Sequence, residues 1–143
     1  MRYTLKSMGV AAAATACVLA AATSTAQAAP TSLYTPSALV LAVGHGEEAA
    51  TMTAERVVTL NCAPRPSGSH PAPEAACGEL RAAEGRFDQL VTSEPQAICT
   101  MEWDPVVVTA DGYWQGKRVA WSTTFANDCV MRASLTESTA LNF

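Results

Sequence analysis

Four cysteines, Cys62, Cys77, Cys99 and Cys129, lie downstream of an N-terminal segment with the marks of a removable export leader, and together these two features set the terms for the fold. The leader has a charged start at Arg2 and Lys6, an apolar stretch over residues 8–22, and a small-residue end, Ala26-Gln27-Ala28, before Ala29-Pro30. This is the pattern of a secretory signal peptide over residues 1–28 with an A-x-A cleavage site. The apolar stretch is short for a spanning helix and rich in alanine, so no membrane anchor is expected. Cys17, after Ala14-Thr15-Ala16, offers a rival reading as a lipid-attachment site. The apolar run before it is too short and continues past it, so Cys17 is expected to leave with the leader. A secreted domain over residues 29–143 then keeps an even number of cysteines in an oxidising compartment, where two disulfides are the default and a free catalytic thiol is not expected. Four cysteines permit three pairings, and spacing alone does not choose among them. The simplest is local, Cys62 with Cys77 and Cys99 with Cys129, each closure contributing about 3 to 4 kcal/mol on the chain-entropy model.

Composition narrows the function classes. With 13 Asp+Glu against 9 Lys+Arg the net charge is -4, the wrong sign for a phosphate-binding surface, so no nucleic-acid partner is expected. Removing the leader takes away Arg2 and Lys6 and makes the remainder more acidic. A chain with 49% hydrophobic residues is also too apolar to be an acidic disordered tail. Much of that surplus belongs to the leader, and the rest is ordinary for one small soluble domain.

The elements follow from periodicity and punctuation. Residues 37–43, within the apolar run after Pro36 that ends at Gly44-His45-Gly46, read as a buried strand, and the β-branched segment 56–62 as a second. Residues 63–73, APRPSGSHPAP, hold four prolines among eleven positions and form an irregular loop flanked by Cys62 and Cys77. Residues 74–84 carry Ala76, Leu80 and Ala83 at helical spacing, with Gly85 at the expected stop. Residues 92–103 have no clean period and read as an extended loop. Asp111-Gly112 between alternating segments 106–110 and 113–125 predicts a type I′ hairpin, with Val119, Trp121, Thr123 and Phe125 on one face and Gly116 marking a bulge. Asn127 or Asp128 is placed to cap a short helix running to Met131, and residues 135–143 are a candidate last strand. The sum is an α+β layout built on an antiparallel sheet.

Catalytic constellations are sparse, and no enzyme activity is expected. His45 and His70, the only histidines, sit in Gly- and Pro-rich loops, and with the cysteines paired too few ligands remain for a metal, so neither metal nor cofactor is expected. Ser69-His70 lacks a G-x-S-x-G setting and a visible third member, and Gly44-His45-Gly46 lacks the third glycine of a dinucleotide loop. Glu102, Asp104 and Asp111 give no specific glycosidase pair, since Asp111 is used by its turn and Asp104 precedes a proline. The informative segment is 95–105, irregular and pinned in its middle by Cys99. If Cys99 bonds Cys129, residues Thr100, Met101 and Glu102 project just beyond the tether. An extended, pre-ordered loop of that kind suits insertion into a protease cleft. The plain alternative is that Met101 is an ordinary core methionine at a strand edge.

At these residues the chain resembles the Streptomyces subtilisin inhibitor family of secreted serine protease inhibitors. The resemblance spans residues 29–143 and is carried by LYTPSALVLAVGHG, TLNCAPRPSGSHP, the spacing of all four cysteines, and ICTMEWDPVVVTADGYWQGKRV. It implies a two-layer fold with a five-stranded antiparallel sheet and two helices, disulfides Cys62–Cys77 and Cys99–Cys129, a homodimer, and a subtilisin-like serine protease as partner. It further implies a reactive bond between Met101 and Glu102, with Thr100, Cys99 and Ile98 as P2, P3 and P4 and Trp103 as a further subsite contact. Thr100 and Glu102 depart from the Pro and apolar residue that family members often carry there. Val40 and Trp114 are candidate dimer-interface residues, core packing being the alternative for both. A different function class on the same scaffold is a non-inhibitory secreted binding or envelope module.

Overall fold

The structure, a computed structural model, describes residues 35–93 and 97–143. The leader 1–28, Cys17 and Pro95 lie outside the described residues. The chain order is β1 (Ala38–His45), β2 (Thr53–Asn61), α1 (Pro73–Ala82), a 3-10 turn (Phe87–Leu90), β3 (Val106–Trp114), β4 (Lys117–Phe125) and α2 (Asp128–Leu135). The strands form one antiparallel sheet in the order β2-β1-β3-β4.

Strand alternation sorts the side chains onto two faces. Leu39, Leu41 and Val43 of β1 share a face with Val58 and Leu60, with Val108 and Ala110, and with Val119, Trp121, Thr123 and Phe125. That face packs with Ala76, Cys77 and Leu80 of α1, with Phe87, and with Leu135, Ala140 and Leu141 near the C-terminus. The opposite face carries Val40, Val57, Thr59, Tyr113 and Ala120, exposed in the single chain. Trp114 is only 5% exposed and lies in the core, whereas Val40 is 44% exposed on the open face. Of the two candidate interface residues, only Val40 is on the surface.

Three expectations from the sequence are corrected. Among the described residues the sheet has four strands rather than five, because residues 135–143 do not alternate. Instead α2 runs to Leu135 and the chain turns, with Ser138 N–H donating to Leu135 O at 3.0 Å and Asn142 N–H to Ser138 O at 3.1 Å, so that Ala140 and Leu141 plug the core side by side. The hairpin turn is Gln115-Gly116, with φ of 47° and 78°, closed by the Trp114–Lys117 pair. Positive φ at both central positions matches a two-residue hairpin turn. Gly112 lies inside β3, where a Cβ would sit 2.2 Å from the Ala38 carbonyl oxygen across the sheet, so its glycine serves close approach to β1. Gly116 is accordingly a turn residue and not a bulge.

The disulfides are Cys62–Cys77 and Cys99–Cys129, the local pairing. The first ties the end of β2 to α1 and closes the proline-rich loop, which folds back on β2 through the paired Asn61–Ser67 backbone and through Ser69 Oγ, which accepts from Thr59 N–H at 2.9 Å. Pro73 opens α1 at a position where no backbone donor is lost, and Gly85, at φ 72°, closes it with its N–H on Leu80 O at 2.8 Å.

Candidate functional site

Residues 97–103 form an extended segment between the core and β3 and belong to no helix or strand. Ile98 and Met101 are about as exposed as side chains can be, at 104% and 99%, and Trp103 is 62% exposed. Leaving the Ile98 and Met101 side chains in full solvent costs roughly 1.5 to 3 kcal/mol each relative to burial. Met101 is therefore not a core methionine. Thr100 and Glu102 flank it, both exposed, and Cys99 is half-buried at the root of the segment.

Two features fix the backbone around Met101. Cys99 is bonded to Cys129 in the first turn of α2, which ties the N-terminal arm to a helix packed on the sheet. Asn127, the N-cap of α2 and only 7% exposed, does the rest. Its Oδ1 accepts from Val130 N–H at 3.0 Å, which orients the amide. Its Nδ2 then donates to Thr100 O at 3.1 Å and Glu102 O at 2.9 Å. One buried side chain thus holds the carbonyls on both sides of Met101. Among the described residues, no backbone N–H in 97–103 donates to another backbone group. The edge of the segment is free to pair with another strand.

The C-terminal arm is anchored separately. Asp104 N–H donates to Ala126 O at 2.9 Å, and Gly46 N–H to Pro105 O at 3.0 Å. The indole Nε1 of Trp103 donates to Glu47 Oε1 at 3.1 Å, and Asp104 Oδ1 lies 3.3 Å from His45 Nδ1. Sequence reasoning brought Ile98, Cys99, Thr100, Met101, Glu102 and Trp103 into one segment, and the structure keeps them there. It missed the bridging role of Asn127 and the contribution of Glu47. The first had a partial signal, since Asn127 reads as a helix cap two residues before Cys129. The second had none, because Glu47 lies 56 residues from Trp103 in the sequence.

The remaining candidates do not assemble. Ser69 and His70 point to different partners, with Ser69 Oγ at Thr59 and His70 Nδ1 accepting from Ala72 N–H at 3.1 Å. Among the described residues, no group of three or more His, Cys, Asp or Glu is arranged to hold a metal, and no helix is long and apolar enough to cross a membrane.

The subtilisin inhibitor-like family model matches residues 35–127, a span that includes the sheet, both disulfides' first cysteines and the exposed segment. The chain belongs to the subtilisin inhibitor-like family. It is 58% identical over 146 residues, covering all of both chains, to a subtilisin inhibitor of Streptomyces violaceus. It is 62% identical over 98 residues to plasminostreptin of Streptomyces antifibrinolyticus, covering 68% of this chain and 89% of that one. Among solved structures it is similar to Streptomyces caespitosus sermetstatin in complex with Bacillus licheniformis subtilisin, with a TM-score of 0.70 and 45% identity over 76% of this chain and 99% of that one. The family is one of protease inhibitors and not of enzymes. This subtilisin inhibitor-like chain is accordingly a protease inhibitor and not an enzyme.

Proposed function

We propose that this chain is a secreted, substrate-like inhibitor of subtilisin-type serine proteases whose reactive bond is Met101–Glu102. The observation that carries the reading is the fully exposed Met101 held between two carbonyls that share one buried donor, Asn127. An unbranched apolar side chain suits the large apolar primary pocket of subtilisin-like enzymes, whereas a trypsin-like pocket calls for Lys or Arg. Met101 fills S1, Thr100 and Cys99 follow as P2 and P3, Ile98 reaches S4, and Trp103 lies on the primed side as P2′. The open backbone of the segment pairs with the enzyme as an added strand.

Binding then stalls turnover. The protease serine Oγ attacks the Met101 carbonyl carbon, the bond to Glu102 N breaks, and the freed amine takes the proton held by the enzyme's histidine. In an ordinary substrate that amine departs and water hydrolyses the ester. Here the Cys99–Cys129 bridge and Asn127 keep both ends in place, so the amine attacks the ester and re-forms the peptide. Preorganisation of this kind lowers the entropy lost on binding, and a standard interface of about 1,600 Å² then supports nanomolar affinity. Titration of a fixed amount of active subtilisin should give a linear fall to zero activity at one equivalent of chain. Residual activity that stays flat with added protein would leave the scaffold as a secreted binding module without inhibition.

The same reading includes export, with cleavage after Ala28, and a homodimer formed through the open face of the sheet, where Val40, Val57 and Tyr113 are exposed among small side chains. N-terminal sequencing of the secreted product and sedimentation of the wild type beside Val40→Glu test these two points; the variant should sediment as a monomer.

A further inference from the structure

Once the Met101–Glu102 bond is opened, the two new ends are not held alike. Met101 stays two residues from the Cys99 disulfide. Glu102 has no covalent tether on its side until β3 begins at Val106. Asn127 Nδ2 holds Glu102 O at 2.9 Å and Ala126 O accepts from Asp104 N–H at 2.9 Å, and the rest of the arm is held by the β1–β2 turn. Glu47 accepts the Trp103 indole N–H at 3.1 Å, and its own backbone is fixed because Thr124 Oγ1 of β4 donates to Glu47 O at 3.0 Å. Its neighbour Gly46 donates to Pro105 O at 3.0 Å, and His45 Nδ1 stands 3.3 Å from Asp104 Oδ1. Residues 45–47 therefore touch the arm at three successive positions, 103, 104 and 105. Among the contacts from this turn, that of the Glu47 carboxylate reaches closest to the bond.

We propose that Glu47 is a positioning residue for the leaving-group arm, holding Trp103 so that the amine released at Glu102 stays beside the acyl carbonyl and re-forms the peptide instead of yielding to water. The proposal rests on Met101–Glu102 being the reactive bond. In the forward step the Met101 C–Glu102 N bond breaks, the serine ester forms, and the amine gains one proton. In religation the amine returns that proton, the amide re-forms, and the serine is released. Hydrolysis instead consumes one water and leaves a Met101 carboxylate and a Glu102 ammonium. Loss of the Trp103 clip leaves the arm to the Asn127 amide and the contacts at 104 and 105, which loosens it, so the share of events that ends in hydrolysis rises.

The test incubates catalytic subtilisin with an excess of wild type, Glu47→Ala, Glu47→Gln, Trp103→Phe and Glu47→Ala/Trp103→Phe, following chain cut at 101–102 by mass spectrometry beside the initial inhibition constant and the melting midpoint. The Glu47→Ala chain should be cut about threefold to tenfold faster than wild type, the range expected for one lost hydrogen bond, with a melting midpoint lowered by no more than a few degrees. The Glu47→Gln chain, whose amide oxygen still accepts from the indole, should be cut near the wild-type rate, and adding Glu47→Ala to Trp103→Phe should bring no further increase. Equal cutting of Glu47→Ala and wild type, or full additivity in the double variant, would overturn the role of Glu47 while leaving the reactive bond intact. A wild type that neither inhibits nor is cut at 101–102 would overturn the reactive-bond reading and this proposal with it.

Discussion

At the scale of single residues, two side chains carry the site for opposite reasons. Met101 is entirely in solvent and offers its side chain to a partner; Asn127 is buried and offers its amide to the backbone around Met101. Replacement of Met101 should therefore change which protease is bound without touching the fold. Met101→Lys is expected to gain trypsin inhibition and lose potency on subtilisin, and Met101→Asp to lose at least 100-fold on subtilisin (roughly 3 kcal/mol), because a carboxylate would be desolvated in an apolar pocket. Inhibition assays on both enzymes with circular dichroism as a fold control check this; full potency of Met101→Asp would remove Met101 from the primary pocket. Asn127→Ala removes two loop contacts and the α2 cap together. It should cost about 1 kcal/mol of stability from the cap and, separately, convert the chain from a slow to a fast substrate. A urea titration reads the first effect and the rate of cutting at 101–102 the second.

At the scale of elements, the exposed segment is defined by what stands behind it. α2 presents Asn127 and Cys129 at its N-terminal end, so one helix start supplies both the covalent and the hydrogen-bonded support. Replacing Cys99 and Cys129 together by Ala should leave the Cys62–Cys77 half intact and lower stability by about 3 kcal/mol. The doubly substituted chain should be cut and released by subtilisin; undiminished inhibition would show that Asn127 alone suffices. Much of this arrangement was legible in advance. The helical spacing of Ala76 and Leu80, the face shared by Val119 to Phe125, and an aperiodic stretch around Cys99 all follow from local chemistry. Asp111-Gly112 carries the local turn preference, yet the ladder needs Gly112 for clearance from Ala38, a cross-strand demand invisible to local reading, and the turn falls at Gln115-Gly116. Residues 135–143 read as a candidate strand, but Leu135, Ala140 and Leu141 do not alternate and turn into the core instead. Asn127 was read only as a cap, since nothing in sequence aims its Nδ2 at a loop 25 to 27 residues away.

At the scale of the whole molecule, the proline-rich loop, α1 and the C-terminal tail meet at His70. The ring is buried, lies 5.9 Å from the Phe143 ring, and accepts from Ala72 N–H through Nδ1, and Nε2 is enclosed with no hydrogen-bond partner among the described residues. Burial is the main reason its pKa is held below the ordinary histidine value; Arg56 acts in the same sense, while Glu79 and the nearby backbone at Ala140 oppose it. The native state therefore favours the neutral ring, and protonation also destroys the Nδ1 acceptor. In the unfolded chain the same imidazole takes up a proton near its usual pKa of about 6.5. Below that pH the unfolded state binds more protons than the native state, so stability falls as pH drops, and it goes on falling until the native ring also protonates. This contribution is fully present above about pH 6.5 and lost towards acid. The urea midpoint of the wild type should thus decline more between pH 7 and pH 5 than that of His70→Asn, whose side-chain oxygen can still accept from Ala72 and does not titrate. Parallel declines in the two chains would mean that the acid sensitivity of the fold lies elsewhere than at His70.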